Sequence, residues 1–167
     1  MVNERQGLWD FALRLYGAPG VAEACLALQN ECDVDVPILL FSAWLSKHSV
    51  ALTEVELSRI DAMVAEWREE VVRPLRAVRR RLKNGPYPGP TKETETLRNG
   101  VKSVELGSEK IELAVLEAEG EKVISAGRPA VDATKNLALV LRHFHSAHTG
   151  AQAAAALATI EKALTTL

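Results

Sequence analysis

Seven basic side chains crowd into EWREEVVRPLRAVRRRLK, residues 66–83: Arg68, Arg73, Arg76, Arg79, Arg80, Arg81 and Lys83. Arg73, Arg76, Arg80 and Lys83 follow i, i+3, i+7, i+10, which places them in one stripe on a helix. Guanidinium groups present forked donors that match phosphate or carboxylate. Such a stripe, with Arg68 one turn before it, could hold an acidic protein surface, a phosphorylated ligand or an RNA backbone. It could equally be a solvated face, partly neutralised by Glu69 four residues before Arg73. No RNA-binding motif accompanies it, and Tyr87 is the one nearby aromatic suited to base stacking.

Three of the four histidines, His143, His145 and His148, lie within six residues in RHFHSAHTG. A metal site on a helix wants two ligands at i, i+3 or i+4, which His145 and His148 satisfy and His143 does not. No cysteine or suitably spaced carboxylate joins them, so no metal is expected. Paired Glu-x-x-His motifs, a G-x-S-x-G elbow, a phosphate-binding glycine loop and a dinucleotide fingerprint are all missing from the sequence, and no cofactor or catalytic residue is assigned. Glu109, Glu112, Glu117, Glu119 and Glu121 read as solvated helix faces. A second candidate surface is a cleft between the first four helices, lined by Trp9, Tyr16, Gln29, Asp35, Trp44 and Trp67, with Arg68 or Arg73 holding an anion. Core packing of the aromatics is the plainer reading.

The elements that must position these side chains are helical throughout. A chain of 167 residues, 47% hydrophobic, 25% charged and of net charge −2, suits one globular domain and excludes a wholly basic nucleic-acid binder. The charged start MVNERQG lacks the apolar stretch of an export signal, and no apolar run reaches the ~18 residues of a membrane span. Cys25 and Cys32 are seven apart, about 10 Å along a helix, beyond disulfide reach. Two core thiols in a reducing cytosol are expected.

Helix 1 is expected from Glu4 to Tyr16 and helix 2 from Pro19 to Glu31. Helix 3 covers DVDVPILLFSAWL, with Asp35 as N-cap, Pro37 in the first turn, and apolar residues nearly all round. Helix 4 opens on the capping box Thr53–Glu56 and continues through Leu57, Ile60, Val64, Trp67 and Val71. Its stripe resumes at Leu75, Val78 and Leu82 after a kink induced by Pro74. The proline-rich segment 85–91 then separates a first half, 4–84, from a helical second half, 92–167, packed on it. In that half, Lys92–Leu106 and Ser108–Glu119 are expected as two helices broken near Gly100, Gly107 and Gly120. They would bury Leu97, Val101, Val104, Ile111 and Val115. Helices from Asp132 to Ser146 and from Ala151 to Leu167 complete a single all-α bundle of six to seven helices.

The blocks LWDFALRLYGAPGVAEACLALQ, DVDVPILLFSAWL and WREEVVRPLRAVRRRLK, in that order, resemble an uncharacterised family of small bacterial helical proteins carried as a domain of unknown function. The likeness covers about residues 8–120, and the middle block departs from the commoner DVNLLLF…WL at Val36-Pro37-Ile38. It implies an all-helical fold and a bacterial cytosolic setting, and no reaction. Together these readings favour a non-enzymatic adaptor or regulator that binds a protein partner through Arg68, Arg73, Arg76, Arg80 and Lys83. A ligand-binding or catalytic cleft and RNA or ribosome association are the alternatives.

Overall fold

The computed structural model describes residues 6–127 and 133–167. Helix α1 spans Leu8–Tyr16, α2 Val21–Cys32, α3 Val36–Lys47 and α4 Glu54–Trp67. A π-helical turn, Arg68–Val72, joins α4 to α5 at Arg73–Arg81. Helix α6 runs Lys92–Ser125, α7 Asn136–Phe144 and α8 Ala151–Thr166. Taking α4, the π-turn and α5 as one continuous run gives seven helices and no strand among the described residues. The expected starts at Glu4 and Asp132 lie outside those residues. No single helix is long and apolar enough to cross a membrane.

The chain forms two compact units, one of residues 1–61 with 113–167 and one of residues 62–112. The first is organised around α3. Its residues Val36 to Leu45 are all buried, as an all-round apolar helix requires. Asp35 accepts the Ile38 N–H at 3.4 Å and caps it, so the carboxylate at the door of the apolar run has the expected N-cap role. Helices α1 and α7 pack on α3, and α8 packs on α2. The centre holds Leu8, Leu15, Leu28, Phe41, Trp44, Leu57, Ile60, Leu116 and Leu137, each less than 2% exposed. Each large aliphatic or aromatic side chain so buried stabilises the fold by about 1.5–3 kcal/mol before chain entropy is counted.

Two details hold this unit in register. Asn136 donates to the carbonyls of Ser42 (3.3 Å) and Val50 (2.8 Å) and accepts the Leu52 N–H at 2.9 Å. It thereby satisfies the backbone where the chain leaves α3. A Cβ on Gly120 would stand 2.5 Å from Trp44 Cζ3 and 2.8 Å from Phe41 Cε2. Only glycine lets the end of α6 approach α3 this closely.

The second unit contains the end of α4, the π-turn, α5, the loop 82–91 and the first part of α6. The capping box that opens α4 forms as expected, Thr53 N–H donating to Glu56 Oε2 (3.0 Å) and Glu56 N–H to Thr53 Oγ1 (3.2 Å). Downstream, the Pro74 ring removes one amide donor and crowds the preceding turn. The accommodation is a change of hydrogen-bond register, with the Arg73 N–H reaching back to the Arg68 carbonyl. A π-turn passes one extra residue, so the buried line runs Val64, Arg68, Val72 in place of the expected Trp67 and Val71. Beyond it, Val78 is 48% exposed rather than part of the buried stripe.

Helix α6 corrects two expectations. It is one helix of 34 residues, since Gly100 and Gly107 lower helix propensity by about 1 kcal/mol each without breaking the hydrogen-bond ladder. Its faces are also exchanged. Leu97, Val104 and Ile111 are more than half exposed, while Glu105, Ser108 and Glu112 are buried.

Candidate functional site

Basic residues on α5 meet the acidic face of α6 in the second unit. Arg76 Nε donates to Glu105 Oε1 at 3.2 Å and its Nη2 to Glu109 Oε1 at 2.8 Å. Arg79 binds the same Glu105 carboxylate through Nε and Nη2. One carboxylate thus accepts from two guanidinium groups in a cluster of two positive and two negative charges. The side chains of Arg76 and Glu105 are only 12% and 7% exposed. Removing one member of such a buried cluster leaves an uncompensated charge and costs about 3–5 kcal/mol. Trp67, the last residue of α4, donates Nε1–H to the Ser108 carbonyl at 3.0 Å. From Arg76 to Arg79 the partners shift from Glu105 and Glu109 to Glu105 alone, toward the N-terminus of α6, as an antiparallel pair of helices requires.

This arrangement divides the arginine stripe. Arg68 is buried, with Nε 3.6 Å from Glu69 Oε1. Arg73 forms the expected i+4 pair with Glu69, at 3.4 Å. Arg76 is turned onto α6. Arg80, Arg81 and Lys83 remain exposed at the end of α5. Guanidinium groups that face a carboxylate pair on their own chain are not available to an outside anion.

The carboxylates read as solvated faces are sorted too. Glu112 and Glu119 are buried. In the first unit, Glu119 receives Arg59 Nη1 at 3.1 Å and the Lys122 ammonium. The Lys122 hydrogen bond, then that of Arg59, hold its carboxyl below the ordinary 4.5. Glu117 Oε1 accepts the Leu8 N–H at 2.8 Å, supplying the cap that Gly7 cannot at the positive end of α1. Glu105 was the residue sequence reasoning passed over. The signal was there: Glu105, Glu112 and Glu119 recur every seven residues, on one helical face.

The residues proposed for a cleft have separate roles. Trp44 is 1% exposed. It donates Nε1–H to the Gln6 carbonyl at 3.1 Å and packs edge-on against His48. Asp35 caps α3. Trp9 and Gln29 are half-buried and Tyr16 is 37% exposed. Trp67 belongs to the second unit. A groove of about 600 Å³ is instead lined by Leu75, Leu97, Gly100, Val101 and Val104, with Glu93 and Thr96 at its edge.

Of the histidines, His143 Nε2 lies 2.8 Å from Asp61 Oδ2, His145 ends α7 and His148 is exposed. The first pairing orients the imidazole of His143 against the Asp61 carboxylate. Among the described residues no three His, Cys, Asp or Glu side chains group as metal ligands. Cys25 and Cys32 are free, buried thiols. Burial pushes Cys25 up to about 12, which keeps it protonated and unreactive.

A model of the DUF2390 family, described as protein of unknown function, matches residues 7–116, and the chain belongs to that family. No curated protein and no solved structure matches.

Proposed function

We propose that this member of the DUF2390 family is a non-enzymatic adaptor that binds an acidic protein partner through Arg80, Arg81 and Lys83 at the end of α5. The observation that supports this reading is the sorting of the basic residues. Arg76 and Arg79 clamp α6, while the three residues beyond the clamp face solvent. A helix end carrying two arginines, with a lysine in the turn just beyond it, is suited to recognising a carboxylate-rich or phosphorylated surface. Two free buried thiols accord with action in a reducing cytosol.

The test is affinity capture with the wild type and an Arg80→Glu, Arg81→Glu, Lys83→Glu variant, with and without nuclease. A Lys102→Glu, Lys110→Glu variant serves as the charge control. A partner that survives nuclease, disappears with the triple variant and stays with the control supports the adaptor reading. Equal capture by all three chains overturns it.

A second reading, RNA binding at the same end, is favoured by Tyr87, which is 96% exposed in the loop just after these cations and could stack a base. It predicts nuclease-sensitive capture. Three phosphate contacts to a single strand would give a slope of about −2 in log affinity against log salt.

A further inference from the structure

The outward face of α6 carries an unusual pattern. Leu97, Gly100, Val104, Gly107 and Ile111 follow one another at steps of 3, 4, 3 and 4, the spacing of a helix-pairing seam. The three large residues are 57%, 58% and 54% exposed. The two glycines sit in the interior of a 34-residue helix, and a Cβ on either would meet nothing within 4 Å. Each glycine weakens the helix by about 1 kcal/mol relative to alanine. No neighbour among the described residues explains that cost, in contrast to Gly120, where Trp44 and Phe41 exclude a side chain.

We propose that α6 pairs with α6 of a second copy of this chain, antiparallel about a two-fold axis, through Leu97, Gly100, Val104, Gly107 and Ile111. The size pattern is complementary to itself in this orientation. Setting Val104 opposite Gly107 of the second copy places Gly100 opposite the other Ile111, and the two-fold repeats both layers. Each of these four central layers then joins one large residue to one glycine, which lets the backbones approach, and Leu97 at either end falls opposite the small Ala114 of the second copy. A parallel pair would stack Val104 on Val104 and leave glycine facing glycine. Sliding the antiparallel pair one heptad toward the N-terminus would set Glu93 against Ile111.

The groove beside α5 agrees with this register. Gly100 lines it together with Leu75, Leu97, Val101 and Val104, so Ile111 of the second copy approaches an open apolar groove. Charge agrees with self-approach. The seam contains no charged residue, and on its flank Lys110 falls opposite Ser103 rather than another lysine. Like-charge contact, which costs several kcal/mol when desolvated, is therefore avoided. The seam is about 21 Å long at 1.5 Å per residue. A contact of that length buries less than the ~1,200 Å² of a standard interface, which points to a reversible, concentration-dependent dimer.

Sedimentation velocity over a concentration series tests this, with circular dichroism as the check on folding. The wild type is expected to move from monomer to dimer as concentration rises. Gly107→Leu, which occupies open space in the monomer, and Ile111→Lys are each expected to weaken dimerisation at least tenfold with helix content retained. The Arg80→Glu, Arg81→Glu, Lys83→Glu variant is expected to dimerise like the wild type, so failure of the adaptor reading and failure of this one are separate results. A wild type that stays monomeric at millimolar concentration, or folded seam variants that dimerise undiminished, would overturn the pairing.

Discussion

The two ends of α6 use glycine and apolar residues in opposite ways. Toward its C-terminus, within the first unit, Gly120 lies flush against Trp44 and Phe41, and Leu116 and Val123 are buried beside it. Toward its N-terminus, within the second unit, Gly100 and Gly107 face open space, and Leu97, Val104 and Ile111 face outward with them. The buried side of that N-terminal part is acidic and is held by arginines of α5. One helix thus has an apolar inner face at one end and a polar inner face at the other. Apolar periodicity identifies a face that needs covering. It does not say whether the chain itself or another molecule covers it.

Side-chain truncation provides the largest separation between the two ends. Trp44→Ala is expected to destabilise the fold by about 3–5 kcal/mol, through lost burial and the cavity left behind. It also removes the donor to the Gln6 carbonyl. Leu97→Ala, on the outward face, is expected to change stability by less than about 0.5 kcal/mol in a dilute, monomeric sample. Urea midpoints of the two variants beside the wild type check both values. A cost above about 2 kcal/mol for Leu97→Ala would mean that the outward face is covered within one chain.

The glycines give a smaller effect with a change of sign. Gly120→Ala puts a methyl group against two aromatic rings that cannot swing aside, and overpacking of this kind costs about 1–3 kcal/mol. Gly107→Ala meets nothing and restores helix propensity, for a gain of about 0.5–1 kcal/mol. Thermal unfolding of both variants measures the contrast. Destabilisation by Gly107→Ala in the monomer would break it.

Much of this architecture was legible beforehand because local chemistry decided it. Asp35 with Pro37, and Thr53 with Glu56, are caps whose hydrogen bonds close within a few residues, and both form as the sequence predicts. The all-round apolar run of α3 could only be surrounded by protein. The family likeness, placed at about residues 8–120, agrees with the match over 7–116. What stayed hidden was partnership at long range. Glu105 lies 29 residues from Arg76, and nothing local distinguishes it from a solvated glutamate. An arginine stripe reads the same whether it faces solvent or a carboxylate across a hairpin. The π-turn at Arg68–Val72 shifted the buried line by one residue, a displacement that a fixed 3.6-residue period cannot express.

The smallest effect concerns the acidic line of α6, and its sign follows from Glu119. The Lys122 and Arg59 hydrogen bonds lower the folded-state pKa of this carboxyl below the ordinary glutamate value at which it titrates in the unfolded chain. A lowered folded value means that the unfolded state binds the proton first as pH falls. The contribution of Glu119 is therefore fully present above about pH 5 and is lost as pH falls through its folded-state pKa. Lys122 and Arg59 are themselves largely exposed, at 72% and 52%, so solvent screening keeps this contribution modest. Glu119→Gln is expected to lower the unfolding midpoint at pH 7 and to approach the wild type as the pH is taken from 5 toward 3. Urea titrations of the two proteins at pH 7, 5, 4 and 3 measure the convergence. A difference that stays constant across that range would assign the role of Glu119 to packing rather than to its charge, and would remove the ion-pair distinction between the buried acids of α6 and the apolar core beside them.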